Sequence, residues 1–222
     1  MRRVAMFLFL LFSLLAGCAH APFKEAEQVS YRAVEPSAVL ESFRQRLPDS
    51  FQMLNSVVFE YSINSFMAIG FVDVDRKGQT FKVACLNPMG VQLFELSGDR
   101  NGIVPHNVLP VLMEYGDLPT AVGNDIRRIY FGLLPSAGAR AVMGKNSVRF
   151  RQPYQDGILE FEFAGQGQEL VRKTYLEDGK PVWRVSYYEY MEKNGKSYPQ
   201  GIVMRQFRYG YRLVVRQKEL YS

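Results

Sequence analysis

From Leu54 to the C-terminus, apolar side chains recur mostly at every second position, in short runs separated by turn residues. This period is typical of strands that bury one face. The predicted strands cover residues 54–62, 65–75, 79–86, 91–97, 101–104, 146–152, 157–164, 168–177, 181–191, 200–207 and 211–219. Connections such as Lys77-Gly78 are too short for βαβ crossovers, so we expect antiparallel hairpins. The pattern therefore predicts about eleven strands, and the 16 Phe and 13 Tyr favour the same class.

Three stretches have helical spacing instead. The first begins near Pro36 and is stopped by Pro48-Asp49; its apolar positions are Val39, Leu40, Phe43 and Leu47. In the middle of the chain, Asn107 can cap a short helix that runs through Tyr115. A second run covers about 120–133. We expect an α+β fold in which the helices plug an open, curved sheet that can enclose an apolar cavity.

The N-terminus has the pattern of an export signal. A basic start, Met1-Arg2-Arg3, precedes an apolar run from Val4 to Leu15 that is too short to span a bilayer. The run ends at Leu15-Ala16-Gly17-Cys18, which resembles the lipobox of bacterial lipoproteins. That resemblance implies cleavage before Cys18, acylation (palmitate included) of the new N-terminus, and export to the outer membrane. The alternative is an ordinary secretory signal with a chance cysteine.

These features divide the chain into three parts. Residues 1–17 are the predicted signal peptide, 18–35 a polar tether behind the lipidated Cys18, and 36–222 the folded domain. If Cys18 carries lipid, Cys85 has no partner in the chain and is predicted to be buried.

One turn has an unusual composition. Asn87-Pro88-Met89-Gly90 separates two strand-like runs, and Asn, Pro and Gly are ordinary turn residues. Met89 is not, because a turn tip faces water. We interpret Met89 as a contact with lipid or a membrane; the alternative is that its side chain folds back onto the core.

Catalytic and metal-binding patterns are not found in the sequence. It contains neither a GxSxG nucleophile elbow nor a glycine-rich phosphate loop. His20 and His106 show no ligand spacing with the cysteines, and His106 is interpreted as a surface residue at a helix start. The net charge of +5 comes from scattered Lys and Arg, which does not indicate nucleic-acid binding. We therefore predict a non-enzymatic protein without cofactor or metal.

The order of these features resembles the LolB family of outer-membrane lipoprotein receptors. The likeness is carried by Leu86–Leu96 around the Asn-Pro-Met-Gly turn, by Ile126–Pro135, and by the final strands 175–190 and 199–220. It implies an unclosed β-barrel with a helical lid, whose cavity accepts the acyl chains of lipoproteins delivered by a periplasmic, LolA-like carrier. Met89 matches the family's protruding apolar turn residue, which helps to place lipoproteins in the inner leaflet of the outer membrane.

This resemblance leaves two functions open. One is the lipoprotein receptor itself, expected as a monomer. The other is an envelope lipoprotein of the same fold that binds a different hydrophobic ligand or serves as an accessory assembly component. Strand aromatics are candidates for the cavity lining: Phe59, Phe71, Phe81, Phe94, Phe161 and Phe163.

Overall fold

The computed structural model describes residues 22–114 and 116–221, which form three helices and twelve strands. The helices are α1 (Pro36–Arg46), α2 (Pro110–Met113) and α3 (Leu118–Tyr130). The first five strands are β1 (Ser50–Tyr61), β2 (Asn64–Asp75), β3 (Thr80–Leu86), β4 (Gln92–Gly98) and β5 (Ile103–Val108). The other seven are β6 (Arg140–Met143), β7 (Ser147–Tyr154), β8 (Gly157–Ala164), β9 (Glu169–Glu177), β10 (Lys180–Lys193), β11 (Lys196–Gln206) and β12 (Tyr211–Tyr221).

All twelve described strands belong to one antiparallel sheet in the order β5-β4-β3-β2-β1-β12-β11-β10-β9-β8-β7-β6. The first and last strands pair at its centre, and successive hairpins extend outward on both sides. The two edges, β5 and β6, are joined only through α2, α3 and the loop that follows. The predicted fold, an unclosed antiparallel sheet with a helical lid, is confirmed. The additional strand is β6, whose four residues are too few for alternation to be recognised.

Strand alternation gives the sheet an inner and an outer face. On β3, Phe81, Val83 and Cys85 are buried while Lys82 is exposed. On β8, Phe161 and Phe163 are buried in the core, and Glu160 and Glu162 lie on the outer face, where they pair with arginines. Burying one face in this way fixes the register, because a slip of one residue would turn every apolar side chain outward.

Helices α1 and α3 cover the inner face. Val39 and Phe43 of α1 are buried, and the Phe43 ring meets the edge of Phe163 at 5.3 Å. α3 begins at Asp117, whose carboxylate accepts a hydrogen bond from the amide of Thr120. Its close approach to β5 depends on Gly123, because a side chain there would lie 2.3 Å from the Ile103 Cδ1 atom.

The helix predicted from Asn107 is wrong at its start. β5 continues through Val108, which pairs with Phe94, and the amide of Leu109 donates to the Leu93 carbonyl. Pairing with β4 outweighs the local capping preference of Asn107, so α2 begins only at Pro110. Tyr115 lies outside the described residues. His106 is thus on a strand rather than at a helix start; it is exposed, with its Nε2 atom 2.8 Å from the Ser97 hydroxyl.

Residues 22–35 have no helix or strand, but two of their side chains are buried. Phe23 stacks on Tyr188 at 5.5 Å on the outer face, and Tyr31 donates a hydrogen bond to the Gly165 carbonyl. The part of the predicted tether that begins at residue 22 is therefore docked on the domain. The predicted signal peptide, residues 1–17, and Cys18 lie outside the described residues.

Candidate functional site

Because the strands are antiparallel, their connections gather at two opposite ends of the sheet. At one end lie the turns around residues 76–79, 99–102, 144–146, 165–168 and 194–195. Glycine, charged residues and amides predominate there, and we call it the polar end. At the opposite end lie α2 and the turns around residues 62–63, 87–91, 155–156, 178–179 and 207–210. We call this the apolar end.

Exposed apolar side chains concentrate at the apolar end. It holds twelve of the fifteen exposed large hydrophobic residues of the described chain: Tyr61, Ile63, Phe66, Met67, Ile69, Met89, Val91, Val111, Met113, Tyr154, Phe207 and Tyr209. Scattered single residues of this kind are normal on a protein surface, whereas a concentration at one end marks an interaction site.

The same end lacks charge where strands β1 to β5 reach it. Residues 61–72, 83–94 and 103–113 contain no Asp, Glu, Lys or Arg. Pairing of Ile69 with Leu86, and of Phe94 with Val108, brings the three segments side by side. The result is a continuous surface without formal charge, which can enter an apolar medium without desolvating an ion.

The turn at 87–91 is held in a fixed shape by Asn87. Its side-chain oxygen accepts hydrogen bonds from the backbone amides of Met89 (3.0 Å) and Val91 (2.9 Å). The backbone N–H of Asn87 donates to the Val91 carbonyl. Gly90 has a φ of +82°, a conformation that disfavours residues with a side chain. Met89 is 85% exposed, so the alternative in which it folds back onto the core is wrong.

A second exposed tip was missed by the sequence reasoning. Ile63, between β1 and β2, is 97% exposed. The signal was present, because Ile63 is an apolar residue within the turn Ser62–Asn64, just as Met89 is within its own turn. Ser62 supports this turn with a positive φ of 55°.

A small cavity lies beneath the helices in the described part of the chain. It is bounded by α1, α3 and the inner face and has a volume of about 30 Å³. Its lining is mostly aromatic and aliphatic: Phe43, Leu47, Pro48, Phe51, Met53, Arg76, Ile129, Tyr130, Leu133, Tyr187, Tyr190, Ser197, Tyr198 and Pro199.

None of the six aromatics predicted for the lining borders this cavity. Phe81, Phe161 and Phe163 are buried in the surrounding core. Phe71 lies on the outer face, because Gly70 and Val72 on either side of it point inward. The cavity is instead bordered by other residues of β1, β10 and β11 and by residues of the two helices, such as Phe43 of α1 and Ile129 of α3.

Among the polar contacts that hold α3 against the sheet, three involve buried or half-buried side chains of the strands. The Tyr187 hydroxyl donates to the Ile129 carbonyl (2.8 Å), and the Lys173 Nζ atom donates to the Phe131 carbonyl (2.8 Å). The Tyr211 hydroxyl donates to the Asp125 carboxylate (2.5 Å). These contacts satisfy groups that would be costly to leave unpaired away from water.

Lys173 is the most unusual member of this set. Burial, with smaller contributions from the nearby Arg76 and Arg128, lowers the pKa of its ammonium group to about 7. Burial also raises the pKa of Asp125, against the opposing influence of the Tyr211 and Arg128 contacts. Lys173 gave no signal in the sequence because charged residues usually alternate outward on strands.

Cys85 is buried, as predicted, and burial raises the pKa of its thiol to about 11. Within the described ranges, no group of three or more His, Cys, Asp and Glu side chains is arranged to hold a metal. In the same part of the chain, no helix has both the length and the apolarity needed to cross a membrane.

A family model described as "Protein of unknown function (DUF3261)" matches residues 70–219, which is more than half of the chain. The chain belongs to this family. The match includes the turn around Met89, helix α3 and all strands from β3 to β12. No curated protein sequence matches the chain.

Solved structures resemble the fold at low sequence identity. A LolA superfamily protein from Nitrosomonas europaea is 11% identical, with a TM-score of 0.55 over 85% of this chain and 93% of that one. A domain from Vibrio parahaemolyticus described as an outer membrane lipoprotein-sorting protein domain is 6% identical, with a TM-score of 0.51 over 83% and 90%. A DUF1329 family protein from Desulfovibrio piger is 8% identical, with a TM-score of 0.52 over 83% and 90%. These likenesses establish the fold alone.

Proposed function

We propose that this chain is an outer-membrane-anchored lipoprotein that receives acylated lipoproteins from a periplasmic carrier and inserts them into the membrane. The observation that carries the proposal is the apolar end, with Met89 exposed on a rigid turn. Two further points support it: the fold is similar to that of a lipoprotein-sorting domain, and residues 86–96 resemble the LolB turn. Cys18 is the proposed site of lipid attachment, and the role requires binding without catalysis.

The cargo's acyl chain would lie between the inner face and the two covering helices. A cavity of about 30 Å³ cannot hold it, so binding requires α1 and α3 to move away from the sheet. The apolar side chains now packed between helices and sheet would then line the enlarged site. Transfer from carrier to receptor to membrane needs no nucleotide, because each step can follow the higher affinity of the next apolar environment.

Replacing Met89 with Glu tests the role of the turn. Burying a Met side chain contributes roughly 1.5–3 kcal/mol, and a carboxylate at the tip would oppose entry into the bilayer. We expect Met89→Glu to impair delivery of lipoproteins to vesicles while retention of acylated cargo stays within about twofold of the native chain. Met143→Glu is the matched control, because Met143 is also exposed but lies at the polar end. Normal delivery by Met89→Glu would contradict the assigned role.

A second function remains a candidate because the matching family, DUF3261, is described as of unknown function and not as a lipoprotein receptor. It is an envelope lipoprotein of the same fold that binds another hydrophobic ligand or serves as an accessory assembly component. Depletion of the protein separates the two functions. Accumulation of lipoproteins on their periplasmic carrier supports the receptor, whereas normal sorting supports the alternative.

A further inference from the structure

The longest projection at the apolar end is the hairpin formed by β1 and β2, with Ile63 at its tip. Ile69 pairs with both Ser56 and Leu86, which gives a common row from which the two turns can be compared. Counted from this row toward the apolar end, Asn64 lies five residues from Ile69 on β2, and Met89 lies three residues from Leu86 of β3. At about 3.3 Å per residue, this difference of two residues carries the end of β2, next to Ile63, roughly 7 Å farther out than Met89.

This hairpin is apolar on both faces near its tip. Phe59 and Phe66 face each other on the inner side, while Met67 and Ile69 are exposed on the outer side. A strand that packs only against its own core is expected to alternate apolar and polar residues. Apolar side chains on both faces therefore indicate an apolar environment that surrounds the hairpin.

Tyrosines flank the tip. Tyr61 and Tyr209 are exposed at neighbouring positions of the apolar end, and Tyr211, which pairs with Tyr61, contacts the Phe59 ring at 5.4 Å. Tyrosine is enriched where a protein crosses the boundary between lipid and water. Along the hairpin itself, the first charged group behind Tyr61 is Glu60, which pairs with Arg212 at 2.9 Å; in the neighbouring turn, Arg208 beside Tyr209 pairs with Glu177. From its tip inward, the hairpin therefore presents apolar side chains, then tyrosines and then charged side chains, which is the order expected at a membrane interface.

The position of the N-terminal segment agrees with this orientation. Phe23 is held on the outer face beneath the Arg216 guanidinium at 4.4 Å, and Arg216 also donates to the Pro22 carbonyl. Only three residues lie between Cys18 and Pro22, so the chain between them reaches at most roughly 14 Å when extended. An acyl group on Cys18 would keep the sheet close enough to the bilayer for the apolar end to touch it.

We propose that the hairpin formed by β1 and β2 inserts into the lipid bilayer, with Ile63 as the leading residue and Met89 entering less deeply. The inference rests on the proposed membrane anchoring. It adds a second insertion element to the one assigned at Met89. The occupant is the acyl region of the bilayer rather than a protein groove, because the tip is apolar on both faces and is followed by tyrosines, as expected where a protein crosses from lipid to water.

Tryptophan reporters test this proposal in the full, lipid-anchored chain. Ile63→Trp, Met89→Trp and Asn194→Trp are incorporated into phosphatidylethanolamine and phosphatidylglycerol vesicles whose acyl chains carry bromine, a contact quencher. Asn194 lies in a turn at the polar end, and the native Trp183 is buried and provides the background. We expect the strongest quenching at position 63, at least twofold above that at 89, and only background quenching at 194.

Two results would overturn the proposal. One is quenching at position 63 no greater than at 194; the other is quenching at position 89 alone. Circular dichroism of each variant verifies that the sheet is intact. The outcome is separate from the proposed function, because the depletion experiment measures lipoprotein sorting whether or not the hairpin enters the bilayer.

Discussion

At the scale of single residues, polar atoms in this protein fix the positions of apolar ones. Asn87 holds two amides of its turn and leaves Met89 in water, an arrangement that gains nothing for folding. Lys173 fixes the end of a helix instead of a turn. Its buried amine donates to the Phe131 carbonyl, directly after α3, and a methionine at position 173 would remove this donor. In both cases a polar side chain holds a local backbone structure in place: the Met89 turn by Asn87, and the end of α3 by Lys173.

The lowered pKa of Lys173 predicts how stability depends on pH. In the unfolded chain this lysine is protonated below about pH 10.5, whereas in the folded protein it stays neutral down to about pH 7. The unfolded state therefore binds the extra proton between these values, so the free energy of unfolding rises with pH. Between pH 7 and 8.5, we expect Lys173 to contribute an increase on the order of 1–2 kcal/mol.

Urea unfolding at the two pH values measures this contribution. Lys173→Met should lose the increase, while Lys180→Met, at an exposed turn, should keep it. Cys85 and the buried tyrosines titrate equally in all three proteins, so their effects cancel in the comparison. An unchanged pH dependence in Lys173→Met would show that this lysine stays charged in the fold.

At the scale of elements, α3 covers the inner face and is held there by hydrogen bonds that single substitutions can remove. Tyr187→Phe and Tyr211→Phe together delete two of the hydrogen bonds that hold it, leaving the Ile129 carbonyl and the Asp125 carboxylate short of a donor. Each deletion should cost about 1–3 kcal/mol. We expect faster hydrogen exchange in α3 and severalfold faster uptake of a fluorescent fatty acid, followed by stopped-flow fluorescence.

The matched control is Tyr31→Phe, which removes a buried hydroxyl bonded to the Gly165 carbonyl rather than to α3 and which does not line the cavity. It should leave uptake unchanged. If α3 exchanges faster in the double variant but the fatty acid enters at the native rate, the ligand does not pass beneath this helix.

Sequence reasoning succeeded at this scale wherever burial is periodic. Long strands such as β8 and β10, and the helix begun by Pro36, were predicted because one face of each is apolar. It failed where a distant partner decides the structure, as in the pairing that keeps Asn107 extended. For the site, the turn of Met89 was predicted from local chemistry. Lys173 was not, because its surroundings come from elements far apart in the sequence.

At the scale of the whole molecule, antiparallel topology separates two surfaces. Alternate turns fall at opposite ends of the sheet, so the chain can place glycine and polar residues at one end and apolar side chains at the other. Under the proposed function, the apolar end faces the membrane and the route beneath α1 and α3 leads toward it. The docked segment around Phe23 ties this orientation to the proposed anchor at Cys18.

The central claim is that acyl chains of lipoproteins bind between α3 and the inner face. It is tested most directly by placing a photo-crosslinking residue at Leu133, which lines the cavity, and irradiating living cells. We predict covalent adducts with lipoproteins, and their loss when the acylated cysteine of the cargo is replaced. The same residue at Asn194, at the polar end, should give none. Absence of adducts at position 133, or equal adducts with cargo that cannot be acylated, would contradict the account.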